Sequence, residues 1–275
     1  MQILVAVNTN PHSIHAIDQV ARLAANTLAK VTILGIGNKG ASNRQPHGCL
    51  PAEPDSTDPL HQALHQYHDQ YLSHSVHPAD DPLELQMAAP RLYVRFGRAY
   101  QEIMSESREQ DSDLIVLGGD DSNGCAWAQT RNTPQQIAGG ADCSVYIAKR
   151  AESVDRVVCC LGHEPISQQS LEMVSQFVTL YSARLQLVGL LKRGELKSDI
   201  EKKLGRLITY YSAKQIEPWI EVVDTRLFDD FVAYETQYAL MALWMGKEAL
   251  LRKIFSKVKM NRLVKTSESS VLVLR

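Results

Sequence analysis

The sequence predicts two tandem α/β domains, each built on a doubly wound sheet of five parallel strands. Short apolar runs alternate with amphipathic helical patterns, which is typical of parallel strands joined by helices. The same succession returns after a shift of 154 residues without a gap, because Ala29-Lys30-Val31 falls on Ala183-Arg184-Leu185. A single large α/β domain with accidental internal similarity is the alternative.

The first half begins with a strand over Ile3–Val7, a turn over Asn8–Ser13 and a helix whose apolar residues recur at helical spacing from Ile14 to Ala24. A second strand follows at Val31–Ile36. Residues 38–88 are rich in Pro, His, Ser and Asp, and they predict a loop, a helix near Leu60–Leu72 and another loop.

The first half ends with a strand running into Gly118 and a final strand over Ser144–Ala148. A charged linker near Lys149–Val154 predicts the boundary between a domain over residues 1–150 and one over residues 151–275.

The second half repeats these elements. Strands are predicted at Val157–Leu161, Leu185–Leu191, Leu240–Gly246 and Ser270–Leu274, with a helix over Ile166–Tyr181. The offset between the halves falls from 154 residues to 128 at the glycine that ends the fourth strand, so the second domain lacks about 26 residues of the first.

Composition excludes several classes of protein. The chain has 275 residues, of which 44% are apolar and 22% charged, as in ordinary globular proteins. Its net charge of −2 gives no reason to expect a nucleic-acid partner. No apolar run reaches the roughly 18 residues of a membrane span, and no basic region precedes the first strand, so we expect neither a transmembrane segment nor a signal peptide.

The five cysteines are an odd number and contain no Cys-x-x-Cys pair, which disfavours a disulfide framework and a zinc ribbon. We therefore expect a cytoplasmic protein with reduced thiols. Cys159 and Cys160 lie in a predicted buried strand and are expected to be inert. Trp127, Trp219 and Trp244 are expected to pack against the core.

Four segments resemble the universal stress protein family in its tandem two-domain form. They are the strand Ile3–Val7 with its turn and helix, Val94-Arg95-Phe96-Gly97 before a helix, the strand ending at Gly118, and the stretch from Ala141 to Val145. Gly118 and Val145 are 27 residues apart, which is the usual spacing in the family, whereas Gly246 and Val271 are 25 apart. The resemblance implies a Rossmann-like fold in both halves.

The resemblance also implies a possible nucleotide site after the fourth strand, because binders in the family carry Gly-x2-Gly-x9-Gly-Ser/Thr there and an Asp after the first strand. Backbone N–H groups in such a loop hold the phosphates. Here Asp121 replaces the second glycine, Arg131-Asn132 replaces the Gly-Ser pair, and Asn8 replaces the Asp. The degenerate site comprises Asn8, Ile36, Gly118, Asp121, Arg131, Asn132 and Thr133.

The second half has lost the motif as well. Gly246 is kept, but Ala249 and Lys259 stand near the other glycine positions, and Gly162 stands at the position of Asn8. We therefore expect no cofactor. Adenine-nucleotide binding through a non-standard loop remains an alternative, since Thr133 or Arg131 could reach a phosphate.

No catalytic constellation is evident, and there is no Gly-x-Ser-x-Gly elbow. We expect a non-catalytic protein that binds a ligand or partner in a stress response or in regulation, and that is not a standard ATP binder. One alternative is a sensor of adenine nucleotides. The other is a regulatory module that docks on a transporter or another protein.

The docking alternative rests on the segment Gly246–Lys265, which carries seven basic residues against the single acid Glu248. A sheet-covering helix with a solvated basic face explains the same pattern. The halves also differ in charge, because residues 1–150 carry 11 basic and 16 acidic groups and residues 151–275 carry 18 and 15.

His61, His65 and His68 share one face of the predicted helix near Leu60–Leu72, so that a pair of them could bind Zn²⁺ or Ni²⁺. A solvated helix face in a variable insert is the alternative.

The last strands of the two halves are predicted sheet edges, which pair readily. In the family this strand commonly forms a dimer contact. We therefore expect an intramolecular pseudo-dimer, with a homodimer as a further possibility, through Val145, Tyr146, Ile147, Val271, Leu272 and Val273.

Overall fold

The computed structural model describes residues 1–37, 48–49, 58–74, 88–119, 133–149, 154–161, 166–191, 198–234, 236, 238–244 and 269–275. Its contacts divide the chain into two compact units, Met1–Ala151 (unit 1) and Glu152–Arg275 (unit 2).

Unit 1 alternates strands and helices around one sheet. Its elements are β1 (Gln2–Val7), α1 (Ser13–Thr27), β2 (Lys30–Gly37), β3 (Gly48–Cys49), α2 (Pro59–Ser73), β4 (Arg91–Phe96), α3 (Ala99–Glu109), β5 (Leu114–Gly118), α4 (Thr133–Gly140) and β6 (Ser144–Ala148). The strand order is β3-β4-β2-β1-β5-β6, and all strands are parallel except β3.

Unit 2 has the same architecture. Its elements are β7 (Arg156–Leu161), α5 (Gln168–Tyr181), β8 (Arg184–Leu191), α6 (Ser198–Ser212), β9 (Trp219–Asp224), α7 (Phe228–Tyr234), β10 (Ala239–Trp244) and β11 (Ser270–Leu274). The strands are parallel in the order β11-β10-β7-β8-β9. The predicted α/β class and doubly wound topology are confirmed.

Helices on both faces explain why the central strands contain almost only apolar residues. In β1 every residue after Gln2 is buried, and β5 and β10 are buried throughout. Helix α1 presents an apolar stripe to this sheet, which includes Ile17, Val20 and Leu23. The packing of that stripe, rather than intrinsic helix propensity, holds α1 in place.

The repeat extends to the sheet register. Val7 is opposite Gly35 in unit 1, and Leu161 is opposite Gly189 in unit 2, which is the same pair shifted by 154 residues. The same glycines face Val94 on β4 and Val222 on β9, so these two valines occupy equivalent positions. The repeat therefore holds for the pairing of strand positions in the two units as well as for the sequence.

The helices α1 and α5 end in the same way. Leu28 (φ 51°, ψ 36°) and Ser182 (φ 48°, ψ 35°) both adopt the left-handed conformation, although neither is glycine. Leu28 N–H donates to the Ala24 carbonyl, and Ser182 N–H donates to the carbonyls of Thr179 and Val178. This reversal closes the helix and leads the chain into the next strand.

Two predictions of secondary structure need correction. Helix α5 begins at Gln168 rather than at Ile166, because Ser167 is the N-cap and its hydroxyl oxygen accepts the Ser170 N–H at 3.1 Å. Unit 1 also has a sixth strand. The predicted loop after β2 contains β3, whose Gly48 and Cys49 pair antiparallel with β4.

Several predictions fall outside the described residues. They concern Asp121, Arg131 and Asn132, the segment Gly246–Lys265, and the positions Gly162 and Trp127.

Candidate functional site

The carboxyl ends of the parallel strands are where α/β sheets of this type bind ligands. In unit 1, β1, β2 and β5 end at Val7, Gly37 and Gly118, and the β1–α1 turn begins at Asn8. The structure brings Asn8 and Gly118 to this edge, as the sequence predicts, with Ile36 and Thr133 buried.

Asn8 is engaged in holding the turn that follows β1. Its side-chain oxygen accepts hydrogen bonds from the Asn10 N–H at 2.9 Å and from the Ser13 hydroxyl at 3.1 Å. Its backbone N–H donates to the Ser13 hydroxyl oxygen at 3.1 Å. Asn8 is only 7% exposed. Asn8, which stands where nucleotide binders have an Asp, thus stabilises its own turn through side-chain hydrogen bonds of the Asx type.

Helix α2 also stabilises this turn through hydrogen bonds. The Tyr67 hydroxyl lies 3.0 Å from the Asn8 carbonyl and 3.1 Å from the Asn10 carbonyl, so its single proton is shared between two acceptors. Burial raises the pKa of Tyr67, and a hydrogen bond with Ser13 opposes that shift. Tyr67 therefore stays protonated, as a donor must.

The Tyr67 contact was missed by sequence reasoning, which considered only the histidines of this helix. The signal was present in the apolar pattern of α2. Leu60, Leu64, Tyr67 and Tyr71 recur at spacings of three and four residues and are all buried. The side of the helix that faces the sheet reaches the carboxyl edge.

Gly118 is required by a close approach of two backbones. A Cβ atom on this residue would lie 2.3 Å from the His12 carbonyl oxygen and 2.7 Å from its carbonyl carbon. The end of β5 and the start of α1 therefore pack together without room for a side chain. In this chain the glycine serves packing between elements of unit 1.

Lys149 is a second feature of this edge that the sequence did not indicate. It follows β6, is only 4% exposed, and its Cγ atom lies beside Gly119. The Gly119 N–H donates to the Ala148 carbonyl at 2.7 Å, which fixes the two strand ends together. Lys149 directly follows a strand, and this position could have indicated that it lies at the carboxyl edge. Its charge instead favoured the interpretation that it belongs to the linker between the domains.

The structure gives two of the three α2 histidines a carboxylate neighbour. Nδ1 of His61 lies 2.8 Å from Asp58 Oδ2, and His61 is only 3% exposed, so it does not belong to a solvated face. Nδ1 of His68 lies 3.6 Å from the exposed carboxylate of Asp69. Within the described ranges, no three His, Cys, Asp or Glu side chains are grouped as ligands for a metal ion.

A polar cleft of about 750 Å³ lies at the opposite, amino end of the unit 1 sheet. Lys30 and Arg91 from strand starts line it, together with Glu106 and Glu109 of α3. Arg95 in this cleft forms ion pairs with Glu106 and Glu109. Burial alone would lower the pKa of Arg95, but the two carboxylates raise it. Its charge is therefore already balanced by the protein.

The predicted edge strands are buried at the residues named from the sequence. Val145, Tyr146 and Ile147 lie in β6, the last strand of the unit 1 sheet, and Val271, Leu272 and Val273 lie in β11, the last strand of the unit 2 sheet.

The two vicinal thiols are buried as predicted. Cys159 and Cys160 lie within β7, and burial raises the pKa of both, that of Cys160 to about 12. The thiolate is the reactive form of cysteine, and a thiol with such a pKa is almost entirely protonated near neutral pH. Neither group is suited to nucleophilic chemistry.

One predicted packing residue is exposed instead. Trp244 is buried in β10, but Trp219 at the start of β9 is 57% exposed. Trp219 stands on β9, which has a described strand on one side only, so it has fewer neighbours among the described residues than a position on a central strand.

Comparison with known proteins identifies the family. Residues 1–149 match the universal stress protein family. The match spans more than half of the 275 residues, and the chain belongs to that family. No curated protein matches this chain.

Solved structures share the fold over the whole chain. A universal stress protein from Archaeoglobus fulgidus DSM 4304 has a TM-score of 0.65 at 14% identity, covering 100% of this chain and 96% of its own. A functionally unknown protein from Pseudomonas aeruginosa PAO1 has a TM-score of 0.62 at 15% identity, with 99% and 92% covered. The cytoplasmic domain of a prokaryotic cation chloride cotransporter has a TM-score of 0.55 at 10% identity, with 99% and 94% covered.

Among the described residues, no helix is both long and apolar enough to cross a membrane.

Proposed function

We propose that this chain is a non-catalytic regulatory protein that works by binding a ligand or partner, and that its unit 1 is not a standard ATP site. Family membership supports a binding role in the response to stress. The fold shared with a transporter's cytoplasmic domain is compatible with such a role but does not identify a partner. We further propose that the protein acts in the cytoplasm.

The hydrogen bonds that engage Asn8 within its own turn are the observation that carries this proposal. A nucleotide ligand would need a free polar group after β1 to recognise its ribose or base. Here the Asn8 side-chain oxygen already accepts two hydrogen bonds inside its own turn, and Tyr67 donates to the adjoining backbone. A ligand group that donates to the Asn8 side-chain oxygen would compete with these contacts, and breaking them costs free energy.

Thermal denaturation with ATP, ADP and AMP tests this proposal. A ligand at 100 times its Kd stabilises the folded state by about 2.7 kcal/mol, which raises the melting temperature measurably. We expect no rise at millimolar concentrations of any of the three.

A rise that Arg131→Ala abolishes would overturn the proposal in favour of the adenine-nucleotide sensor. Mass spectrometry of small molecules that remain bound through gentle purification supplies an independent readout, because it detects a nucleotide without assuming which one binds.

We also propose that β6 and β11 act as pairing edges, in a pseudo-dimer within one chain or in a homodimer. Paired edges have protected backbone amides. Hydrogen exchange at Val145–Ile147 and Val271–Val273 should therefore be slow at every residue. Rapid exchange at alternate residues would show solvated edges and contradict the proposal.

A further inference from the structure

The outer edges of the two sheets differ at equivalent positions. In unit 1, β4 pairs with β3, whose Gly48 and Cys49 lie opposite Val94 and Tyr93. In unit 2, no described strand pairs with the outer side of β9. Val94 is 4% exposed, whereas its equivalent Val222 is 45% exposed. Within the described part of the chain, the same sheet edge is thus paired in one unit and unpaired in the other.

The open edge carries apolar side chains. Trp219, Ile220 and Val222 of β9 are exposed, as is Leu227 in the turn before α7. Next to Val222 a groove of about 340 Å³ runs between β9 and α7, and Leu227, Phe231 and Tyr234 line it. A strand edge that no described strand pairs with, beside an apolar groove, is the arrangement that accepts an added strand, because the backbone pairs and the groove takes side chains.

Charge indicates which side chains the added strand carries. Glu221, Asp224 and Asp230 also line the groove. Asp224 is paired with Arg226 at 2.8 Å, and Glu221 accepts a hydrogen bond from the neutral side-chain amide of Gln186. Among the described residues, no cation pairs with Glu221 or Asp230, so both keep an uncompensated negative charge in the groove. Alternate residues of a strand point to opposite faces, so Glu221 lies on one face and Ile220 and Val222 lie on the other. A complementary strand is basic on the first face and apolar on the second.

We propose that the outer edge of β9 is a docking site for an extended segment of a partner protein with alternating apolar and basic residues, which pairs antiparallel with β9. The pairing of β3 with β4 is the precedent within this chain, because it shows an antiparallel segment on the equivalent strand. A second copy of this chain is a poorer occupant, since it would bring a second acidic groove lining to the first.

The binding of a synthetic peptide to the full chain tests this proposal. The probe is a fluorescein-labelled octapeptide of alternating valine and lysine, followed by fluorescence anisotropy at low salt. We expect saturable binding. A peptide with glutamate in place of lysine, and a valine–lysine peptide methylated at alternate backbone nitrogens, should bind at least about tenfold more weakly, because one lacks the charge and the other cannot pair.

Two variants locate the site, and a third is the matched control. Val222→Lys and Asp230→Lys alter exposed residues of the groove and should each raise the Kd of the probe at least about tenfold. Leu28→Lys also replaces an exposed apolar residue by lysine, but in unit 1, and should leave the Kd unchanged.

Three results would overturn the proposal. They are equal binding of the methylated peptide, binding that survives Val222→Lys, and a dimer of the wild-type chain that Val222→Lys dissociates. The last, measured by light scattering, would assign the edge to a second copy of this chain.

Discussion

At the scale of single residues, the chain uses its conspicuous polar and glycine positions to hold unit 1 together. Gly118 belongs to the binders' motif, yet its neighbour is the His12 backbone. Asn8 stands where binders have an Asp, yet its partners are Asn10 and Ser13. Both residues therefore have structural roles that do not depend on a bound nucleotide.

Gly118→Ala is predicted to destabilise unit 1. The added Cβ would lie 2.3 Å from the His12 carbonyl oxygen, so the start of α1 must move away from β5. Overpacking of this kind costs about 1–3 kcal/mol, which urea denaturation measures. Gly139→Ala is the control, because a Cβ there meets no atom within 4 Å. An equal loss in both variants would show that the contact with His12 is not the cause.

Thiol labelling at pH 8 is predicted to spare Cys159 and Cys160 in the folded protein. Burial raises the pKa of both thiols. In the folded protein they therefore stay protonated at pH values where the thiols of an unfolded chain have already ionised. Mass spectrometry after iodoacetamide treatment should find both modified only when guanidinium is present. Rapid modification without denaturant would mean that β7 opens or is exposed.

At the scale of elements, the sequence located most of the strands and the helices α1, α2 and α5, because each has a regular apolar pattern. Strand β3 could not be predicted, since two residues have no periodicity and its pairing depends on β4. The role of Tyr67 was missed for a different reason. The apolar pattern of α2 places Tyr67 on the side that faces the sheet, but its hydroxyl contacts a turn 57 residues away in sequence, at Asn10, and no local pattern identifies that partner.

Asp58→Ala is predicted to weaken α2 by about 1 kcal/mol, the usual loss for an N-cap. Asp58 Oδ1 accepts the Leu60 N–H at 3.0 Å, and its other oxygen lies 2.8 Å from buried His61. The free energy of unfolding in urea is the measurement. Asp69→Ala removes the same side chain from an exposed position of the same helix and should change stability by less than about 0.5 kcal/mol.

At the scale of the whole molecule, the internal repeat was the most informative feature of the sequence. Because the shift of 154 residues holds across two strands and a helix, it predicted both the fold and the number of copies. The exposed edge of β9 was harder to predict from the sequence. Trp219 is apolar and aromatic, which indicates packing, and its exposure depends on β9 having no described strand beyond it.

Val20→Ala and Val174→Ala are predicted to have matching effects, each in its own unit. The two valines are related by the shift of 154 residues, and both are buried in the helix that follows the first strand of the unit. Each truncation should cost about 2 kcal/mol. Hydrogen exchange resolved by peptide can measure the two units in the same sample. Costs that differ several-fold would mean that the repeat preserves the fold without preserving the packing.

The paired left-handed residues that end α1 and α5 have a consequence for mutational tolerance. Leu28 and Ser182 are exposed, and exposed sites normally accept most substitutions. These two should reject valine and isoleucine, which are disfavoured at φ near 50°, and proline, which cannot adopt it, whereas glycine and asparagine fit well and unbranched side chains are tolerated as leucine is. In a saturation screen, the two positions should share one profile that follows backbone geometry rather than burial. Such a profile can reveal the duplication even where the side chains no longer match.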